Sequence, residues 1–112
     1  MEKKRITNGL GRQGDVGIQA IDALPDNLKP HVPEDKHRIV IAHGEVTGHA
    51  HAIYELDDIE MFEDEAGTLY MRNSKDKVIK HEEHAPLEIP AGTHKFIQQR
   101  EYTPEGIRNV LD

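Results

Sequence analysis

The sequence predicts a single all-β domain that closes into a small barrel. Short segments of alternating apolar and polar residues recur between turns rich in Gly, Pro, Asn and Asp, a pattern typical of a strand meander. The chain has 112 residues, which suits one domain with one core. Only 4% of the residues are aromatic. We therefore expect a thin core of Ile, Val and Leu, which a homodimer interface would supplement.

The composition narrows the classes of function. The chain has no cysteine, which excludes disulfides, zinc–thiolate sites and thiol nucleophiles and leaves His and carboxylates as metal ligands. A formal net charge of -7 opposes binding to nucleic acid. No stretch approaches the roughly 20 apolar residues of a membrane span, and the N-terminus lacks the apolar region of a signal peptide. We expect a cytoplasmic protein with neither nucleic acid nor membrane as partner.

The first third of the chain divides into an arm, a strand and a loop. Residues 1–12 are charged and glycine-rich, so we predict a flexible N-terminal arm and a domain spanning residues 13–112. Alternation from Val16 to Ile21 predicts the first strand. Three prolines then predict a loop over residues 26–35.

The strongest local signal is a hairpin between His37 and Leu56. Two alternating segments flank a connection that begins at Gly44 and ends at Gly48. Direct pairing across this connection places three pairs on one face of the hairpin, because side chains alternate with a period of two residues. Those pairs are His43 with His49, Ile41 with His51, and Ile39 with Ile53.

Further strands are predicted at residues 59–63, 68–72, 77–80 and 93–101. The stretch from His81 to Gly92 is predicted as loop. Thr103 followed by Pro104 suits a capping residue and the first position of a helix, so we expect a short C-terminal helix as far as Leu111.

Two imidazoles in the segment His49-Ala50-His51 carry the main chemical signal. Residues two apart on a strand project to the same side, so both rings can converge on one metal ion. Two ligands do not complete a site. The candidates for the remaining ligands are His43, Glu55, His84 and His94.

These residues resemble the motifs of the cupin family. The first motif runs from a glycine through His-x-His to a glutamate, and the matching positions are Gly44, His49, His51 and Glu55. The second motif, Pro-x-Gly before a histidine, is matched by residues 90–94, which end at His94. The resemblance implies a double-stranded β-helix in which these histidines and the glutamate bind a metal. Glu55 would equally form a cross-strand ion pair with His37.

A second resemblance is to a group of short uncharacterised bacterial proteins. It rests on residues 12–16, 43–51, 83–86 and 99–102 and adds weight to His84. We therefore expect His49, His51, His84 and His94 to bind a divalent ion, namely Zn, Fe, Ni, Mn or Cu.

The predicted fold and the predicted metal ligands are compatible with two functions. The first is a metal-binding cupin-like protein that acts on or senses a small polar molecule in the barrel, with a carboxylate such as Glu45 or Glu83 moving a proton. The second is a non-catalytic binding or assembly module, in which the metal is structural or absent. No residue compels a catalytic step.

Overall fold

The fold is seen in a computed structural model that describes residues 2–44 and 48–98, together with the backbone of residues 101–103 and 106–108. Every regular element in this part of the chain is a β-strand, which confirms the all-β prediction. The strands are β1 (Lys4–Arg5), β2 (Leu10–Gln13), β3 (Val16–Ala20), β4 (Lys29–Pro30), β5 (Ile39–His43), β6 (Ala50–Ile53), β7 (Ile59–Glu63), β8 (Leu69–Asn73), β9 (Lys77–Lys80), β10 (Leu87–Ile89), β11 (Gly92–Gln98), β12 (Glu101–Thr103) and β13 (Gly106–Arg108).

The described strands form two main sheets and one separate hairpin. The first sheet has the order β1-β10-β9-β6-β5 and the second has the order β2-β3-β11-β8-β7-β4. All pairings in the two main sheets are antiparallel except that of β1 with β10. Strands β12 and β13 pair only with each other.

One hydrophobic core joins the two main sheets. Ile53 and Ile79 of the first sheet and Ile18 and Met71 of the second are all fully buried in the same cluster. Phe96 is the aromatic side chain of this cluster, and aliphatic side chains supply most of the rest. The core is therefore mainly aliphatic, as the composition predicted.

The hairpin of β5 and β6 forms as predicted, but its register changes near the turn. Ile39 faces Ile53 as expected, whereas His51 pairs with Ala42 rather than Ile41. An irregularity between Val40 and Ala42 adds one residue to β5. A bulge of this kind moves every later side chain of its strand to the other face of the sheet.

Because of this bulge, His43 pairs with Ala50 instead of His49. Its side chain is 64% exposed, and Nε2 lies 3.3 Å from Oε1 of Glu34. The structure therefore separates His43 from the face that carries His51.

The segment interpreted as an N-terminal arm contributes to both main sheets. Strand β1 pairs with β10, and β2 pairs with β3. Ile6 between them is buried in the core, which ties this segment to the domain. Charge and glycine content suggested an arm because both strands are too short to show an alternating pattern.

The predicted strands at residues 59–63 and 77–80 are confirmed. The strand predicted at 68–72 is shifted by one residue, and the strand predicted at 93–101 begins one residue earlier, at Gly92, and is described as far as Gln98. Strand β10 lies within the predicted loop from His81 to Gly92. The helix predicted from Thr103 to Leu111 is not present at residues 106–108, which form β13. Its other positions after Thr103 lie outside the described residues. Within the described chain no helix is long and apolar enough to cross a membrane.

Candidate metal centre

His49 and His51 lie where the β5–β6 hairpin emerges from its turn. The backbone N–H of Gly44 donates to the carbonyl of His49 at 2.8 Å and closes the hairpin just before β6. His51 shares a face with the core residue Ile53, so its ring points inward and is only 1% exposed. The side chain of His49 is 25% exposed.

Two further histidines come from the loop after β9. The ring of His81 lies 4.4 Å from that of His51, 5.8 Å from that of His49 and 4.7 Å from that of His84, measured between centroids. The rings of His51 and His84 are nearly parallel at 6.0 Å. We call His49, His51, His81 and His84 the histidine cluster. His81 is its centre, because its ring contacts the other three.

Gln13 fixes the tautomer of His51. Its side-chain Nε2 donates to the backbone carbonyls of Ile79 at 3.0 Å and Ala85 at 2.9 Å, so its Oε1 is the free acceptor. Nδ1 of His51 lies 2.8 Å from that oxygen and must carry the hydrogen. In the neutral ring, Nε2 of His51 therefore holds the lone pair.

A carboxylate faces that lone pair. Oδ1 of Asp15 lies 3.2 Å from Nε2 of His51, while Oδ2 accepts a hydrogen bond from Gln98 at 3.0 Å. Two acceptors at this distance attract each other only when they share a cation, either a proton on Nε2 or a metal ion.

The surroundings favour the neutral form of two rings in the histidine cluster. Burial, and then the neighbouring His81, lower the pKa of His51, although Asp15 acts in the opposite direction. Burial, and then His84, lower the pKa of His81. A metal ion binds the neutral imidazole, so these shifts keep both rings in the form that can act as ligand.

Among the described residues, His49, His81 and Glu82 form a group whose ligand atoms lie close enough together to be candidates for one metal ion. One ligand atom from each residue lies within 4.8 Å of the other two. Oε1 of Glu82 accepts a hydrogen bond from the backbone N–H of Ala50 at 2.9 Å, and this bond is the main reason why the pKa of Glu82 is lowered. The carboxylate is thus ionised and anchored beside β6.

His49 supplies the clearest sign of a missing partner. Its Nδ1 is buried and has no hydrogen-bond partner, and this is the one such side-chain atom among the described residues. Among the described residues, the nearest carboxylate is that of Glu83, whose Oε1 lies 3.6 Å away, beyond hydrogen-bond distance.

Metal binding would require small rearrangements in this group. Tetrahedral ligands at 2.0–2.1 Å from a metal lie about 3.3 Å apart, so any two of the three ligand atoms that are as much as 4.8 Å apart must move closer together. Nδ1 of His81 already accepts the backbone N–H of Glu83 at 3.0 Å. Coordination through Nε2 would move the ring hydrogen to Nδ1 and replace that bond. Glu83 is exposed, so its N–H can bond to water instead.

Two glycines make room for the histidine cluster. A Cβ atom on Gly14 would lie 2.6 Å from Nε2 of His84, and Gly14 also has a positive φ of 57°. A Cβ atom on Gly44 would lie 3.1 Å from both Nε2 of His81 and Cβ of His49. Larger residues at either position would crowd the imidazoles.

Comparison with known proteins identifies the family of the chain but assigns no activity to it. Residues 12–99 match DUF8820, a domain of unknown function. The chain belongs to the DUF8820 family. No curated protein and no solved structure matches the chain. The matched DUF8820 segment contains the whole histidine cluster together with Gln13, Asp15 and Glu82.

Three of the four predicted ligands in the DUF8820 domain come together, and the fourth does not. His49, His51 and His84 belong to the histidine cluster, whereas His94 lies on β11 in the other sheet. His94 is four residues from Gln98 along β11, about 13 Å at the usual rise of a strand. Because Gln98 bonds to Asp15 beside His51, His94 is separated from the cluster along the strand.

His94 belongs to a polar network of its own. Its Nδ1 lies 3.2 Å from Oδ1 of Asn73. The amide nitrogen of Asn73 donates to the carbonyls of Lys75 and Pro90, which leaves its oxygen as the acceptor for His94. His94 and Asn73 are both 2% exposed, and burial lowers the pKa of His94. This network accounts for His94 without a metal.

Glu55, which the sequence analysis considered as a metal ligand or as an ion-pair partner of His37, is exposed, and His37 is exposed too.

The sequence analysis missed four residues of the site. They are His81 and Glu82, which were interpreted as loop, and Gln13 and Asp15 near the domain start. The sequence did contain one signal for His81 and Glu82. The segment His81-Glu82-Glu83-His84 follows β9 directly and concentrates four possible ligands at a strand end.

Proposed function

We propose that the protein binds one divalent transition-metal ion through His49, His81 and Glu82. The observation that carries this proposal is the buried Nδ1 of His49, which has no hydrogen-bond partner in the described chain. An unsatisfied buried polar atom costs about 1–3 kcal/mol. A metal ion shared with His81 and Glu82 would remove that cost.

The ligand chemistry suits Zn, Fe, Ni, Mn or Cu, because two imidazoles and a carboxylate are ligands common to these metals. Such an ion supplies Lewis acidity to an oxygen at its open coordination position. Glu83 lies at the rim of the site with an exposed side chain, so its Oε1 can accept a proton from a molecule bound there. These features support a protein that acts on or senses a small polar molecule.

His51 and His84 then position the metal ligands. The Nδ1 hydrogen of His51 is held by Gln13, and its ring packs against that of His81. Side chains behind a metal ligand commonly fix its orientation in this way. The proposed set keeps His49 from the cupin resemblance and replaces the other expected ligands.

A cupin-like double-stranded β-helix remains our proposal for the finer architecture. Two mainly antiparallel sheets that enclose one core and a His-x-His segment at the start of β6 support it. A cytoplasmic location, a homodimer and the lack of nucleic-acid and membrane partners are also predictions. Light scattering at micromolar concentration tests the dimer directly, and a monomeric mass would contradict it.

A non-catalytic binding or assembly module is the second candidate. One observation favours it: both ring nitrogens of His51 have protein partners, namely Gln13 and Asp15. The histidine cluster could therefore be a structural polar network. Where such a module holds no metal, the protein would fold equally well with and without added metal ions; where the metal is structural, its removal would destabilise the fold.

Metal titration distinguishes the proposed metal site from a histidine cluster that binds no metal. Protein freed of metal by a chelator is titrated with Zn²⁺ against a competing indicator, using wild type, His49→Ala and Glu82→Gln. Glu82→Gln keeps the acceptor for Ala50 but removes the charge. We expect one site in wild type and a loss in each variant beyond the roughly 10- to 100-fold typical of outer-shell changes.

The matched control is His43→Ala, because His43 is an exposed histidine on the same hairpin. Its affinity for Zn²⁺ should equal that of wild type. Equal affinities in wild type and His49→Ala, or no binding in wild type with the fold intact, would refute the proposed site.

A further inference from the structure

A cleft of about 290 Å³ adjoins the proposed metal site and is lined by Tyr54, Lys80, His81 and Glu82. Lys80 pairs with Ala52 on the first sheet, and its chain neighbour Ile79 lies in the core. Lys80 therefore projects from the face of the sheet that is turned away from the core. Because His81 and Glu82 are also proposed metal ligands, a molecule in this cleft would lie beside the ion.

The charges in the cleft favour an anion once a metal is bound. Lys80 supplies one positive charge and Glu82 one negative charge, so the two cancel. No carboxylate of residues 2–44 and 48–98 forms an ion pair with Lys80. A dication held by Glu82 would leave the cleft with an excess of positive charge, and the carboxylate would no longer compete for Lys80.

Tyr54 adds a hydrogen-bond donor and an apolar wall. Its hydroxyl oxygen accepts a hydrogen bond from Nη1 of Arg38 at 3.4 Å, so its own hydrogen is free to be donated. Nε of Arg38 in turn lies 3.6 Å from Asp35, which holds the guanidinium in place. Tyr54 is 45% exposed. Its ring and the methylene stem of Lys80 can contact the carbon skeleton of a bound molecule.

We propose that this cleft binds a small organic carboxylate, with its carboxylate group between Lys80 and the metal held by His49, His81 and Glu82. The inference rests on the proposed metal site. The volume is close to the lower limit for small-molecule pockets, which favours a small occupant. The apolar wall distinguishes an organic carboxylate from inorganic phosphate, which has no carbon skeleton to place there.

Calorimetric titration of the full chain tests this inference. Protein loaded with one equivalent of Zn²⁺ and desalted is titrated with benzoate and with succinate, and inorganic phosphate serves as comparison. Lys80→Ala removes the charge and Tyr54→Phe removes only the hydroxyl. Lys36→Ala is the matched control, because Lys36 is an exposed lysine of the loop before β5.

We expect Lys80→Ala to weaken carboxylate binding about tenfold and Tyr54→Phe to weaken it severalfold, whereas Lys36→Ala changes nothing. Metal content should be the same in all four proteins, and metal-free protein should bind the carboxylates more weakly. Unchanged binding in Lys80→Ala would overturn the inference. So would phosphate binding that is as tight as carboxylate binding and equally dependent on Lys80.

The metal content separates this inference from the function on which it rests. If the protein retained zinc but bound no carboxylate, the proposed carboxylate site would be wrong and the proposed metal site would still be supported. Failure to retain zinc in wild type would overturn both.

Discussion

Nε2 of His51 lies 3.2 Å from Oδ1 of Asp15, and the opposite nitrogen of the same ring is held as a donor by Gln13. The lone pair of a neutral His51 therefore points at a carboxylate. A proton shared by the two groups makes this contact favourable, and the carboxylate of Asp15 accordingly raises the pKa of His51 against the lowering effect of burial.

Asp15→Asn should lower the pKa of His51 further. The negative charge of Asp15 and its hydrogen bond both raise that pKa against the effect of burial, so their removal leaves burial, His81 and His84, which all lower it. An NMR titration of the imidazole resonances, assigned with His51→Gln, measures the change. Asp22→Asn, an exposed change elsewhere, should have no effect. A higher pKa in Asp15→Asn would contradict the described contact.

Gln13→Ala should destabilise the fold by at least about 2 kcal/mol. The change leaves two buried groups, the carbonyl of Ile79 and the Nδ1 hydrogen of His51, without their partner, and each unsatisfied buried group costs about 1–3 kcal/mol. Urea denaturation followed by circular dichroism gives the free energy of unfolding. The exposed Gln19→Ala should stay within about 0.5 kcal/mol of wild type. Similar values for both variants would argue against the network.

Gly14→Ala should cost more stability than Gly67→Ala. Both glycines have positive φ, 57° and 85°, so a side chain at either position costs about 1–2 kcal/mol in backbone strain. An added Cβ meets open space at Gly67 but the ring of His84 at Gly14. The difference between the two unfolding free energies therefore measures the close approach to His84. Equal values would show that His84 moves aside at no cost.

His94 should make the protein less stable in acid. Burial lowers its folded-state pKa below the ordinary value of 6.5. The unfolded chain then binds a proton that the folded chain does not, so stability is full above about pH 6.5 and is lost as the pH falls through that value toward the folded-state pKa. In metal-free protein, wild type should lose more unfolding free energy between pH 8 and pH 5.5 than His94→Gln. The exposed His37→Gln should behave as wild type, and identical pH dependence in His94→Gln would be contrary to this account.

Alternation and turn residues predicted much of the sheet structure. The hairpin of β5 and β6, with two glycines between alternating segments, has the expected strands and pairs Ile39 with Ile53. The shift between Val40 and Ala42 could not be predicted, because a bulge depends on packing between strands rather than on residue type. That single extra residue moved His43 away from the site.

The ligand set was predicted only in part, for two physical reasons. His81 lies one residue beyond β9, where a histidine is ordinarily exposed, and its contact with His51 depends on the pairing of β6 with β9. His94 follows a proline and a glycine as in the cupin motif. Strand register decides its position, however, and the register of β11 with β8 puts it beside Met71 and near Asn73.

Crystallography with one equivalent of Zn²⁺ is the most direct test of the proposed metal site. We expect an anomalous-difference peak about 2.0–2.2 Å from a nitrogen of His49, a nitrogen of His81 and a carboxylate oxygen of Glu82. A peak between His51 and Asp15 instead, or no peak in protein that retains its fold, would contradict the proposed metal site.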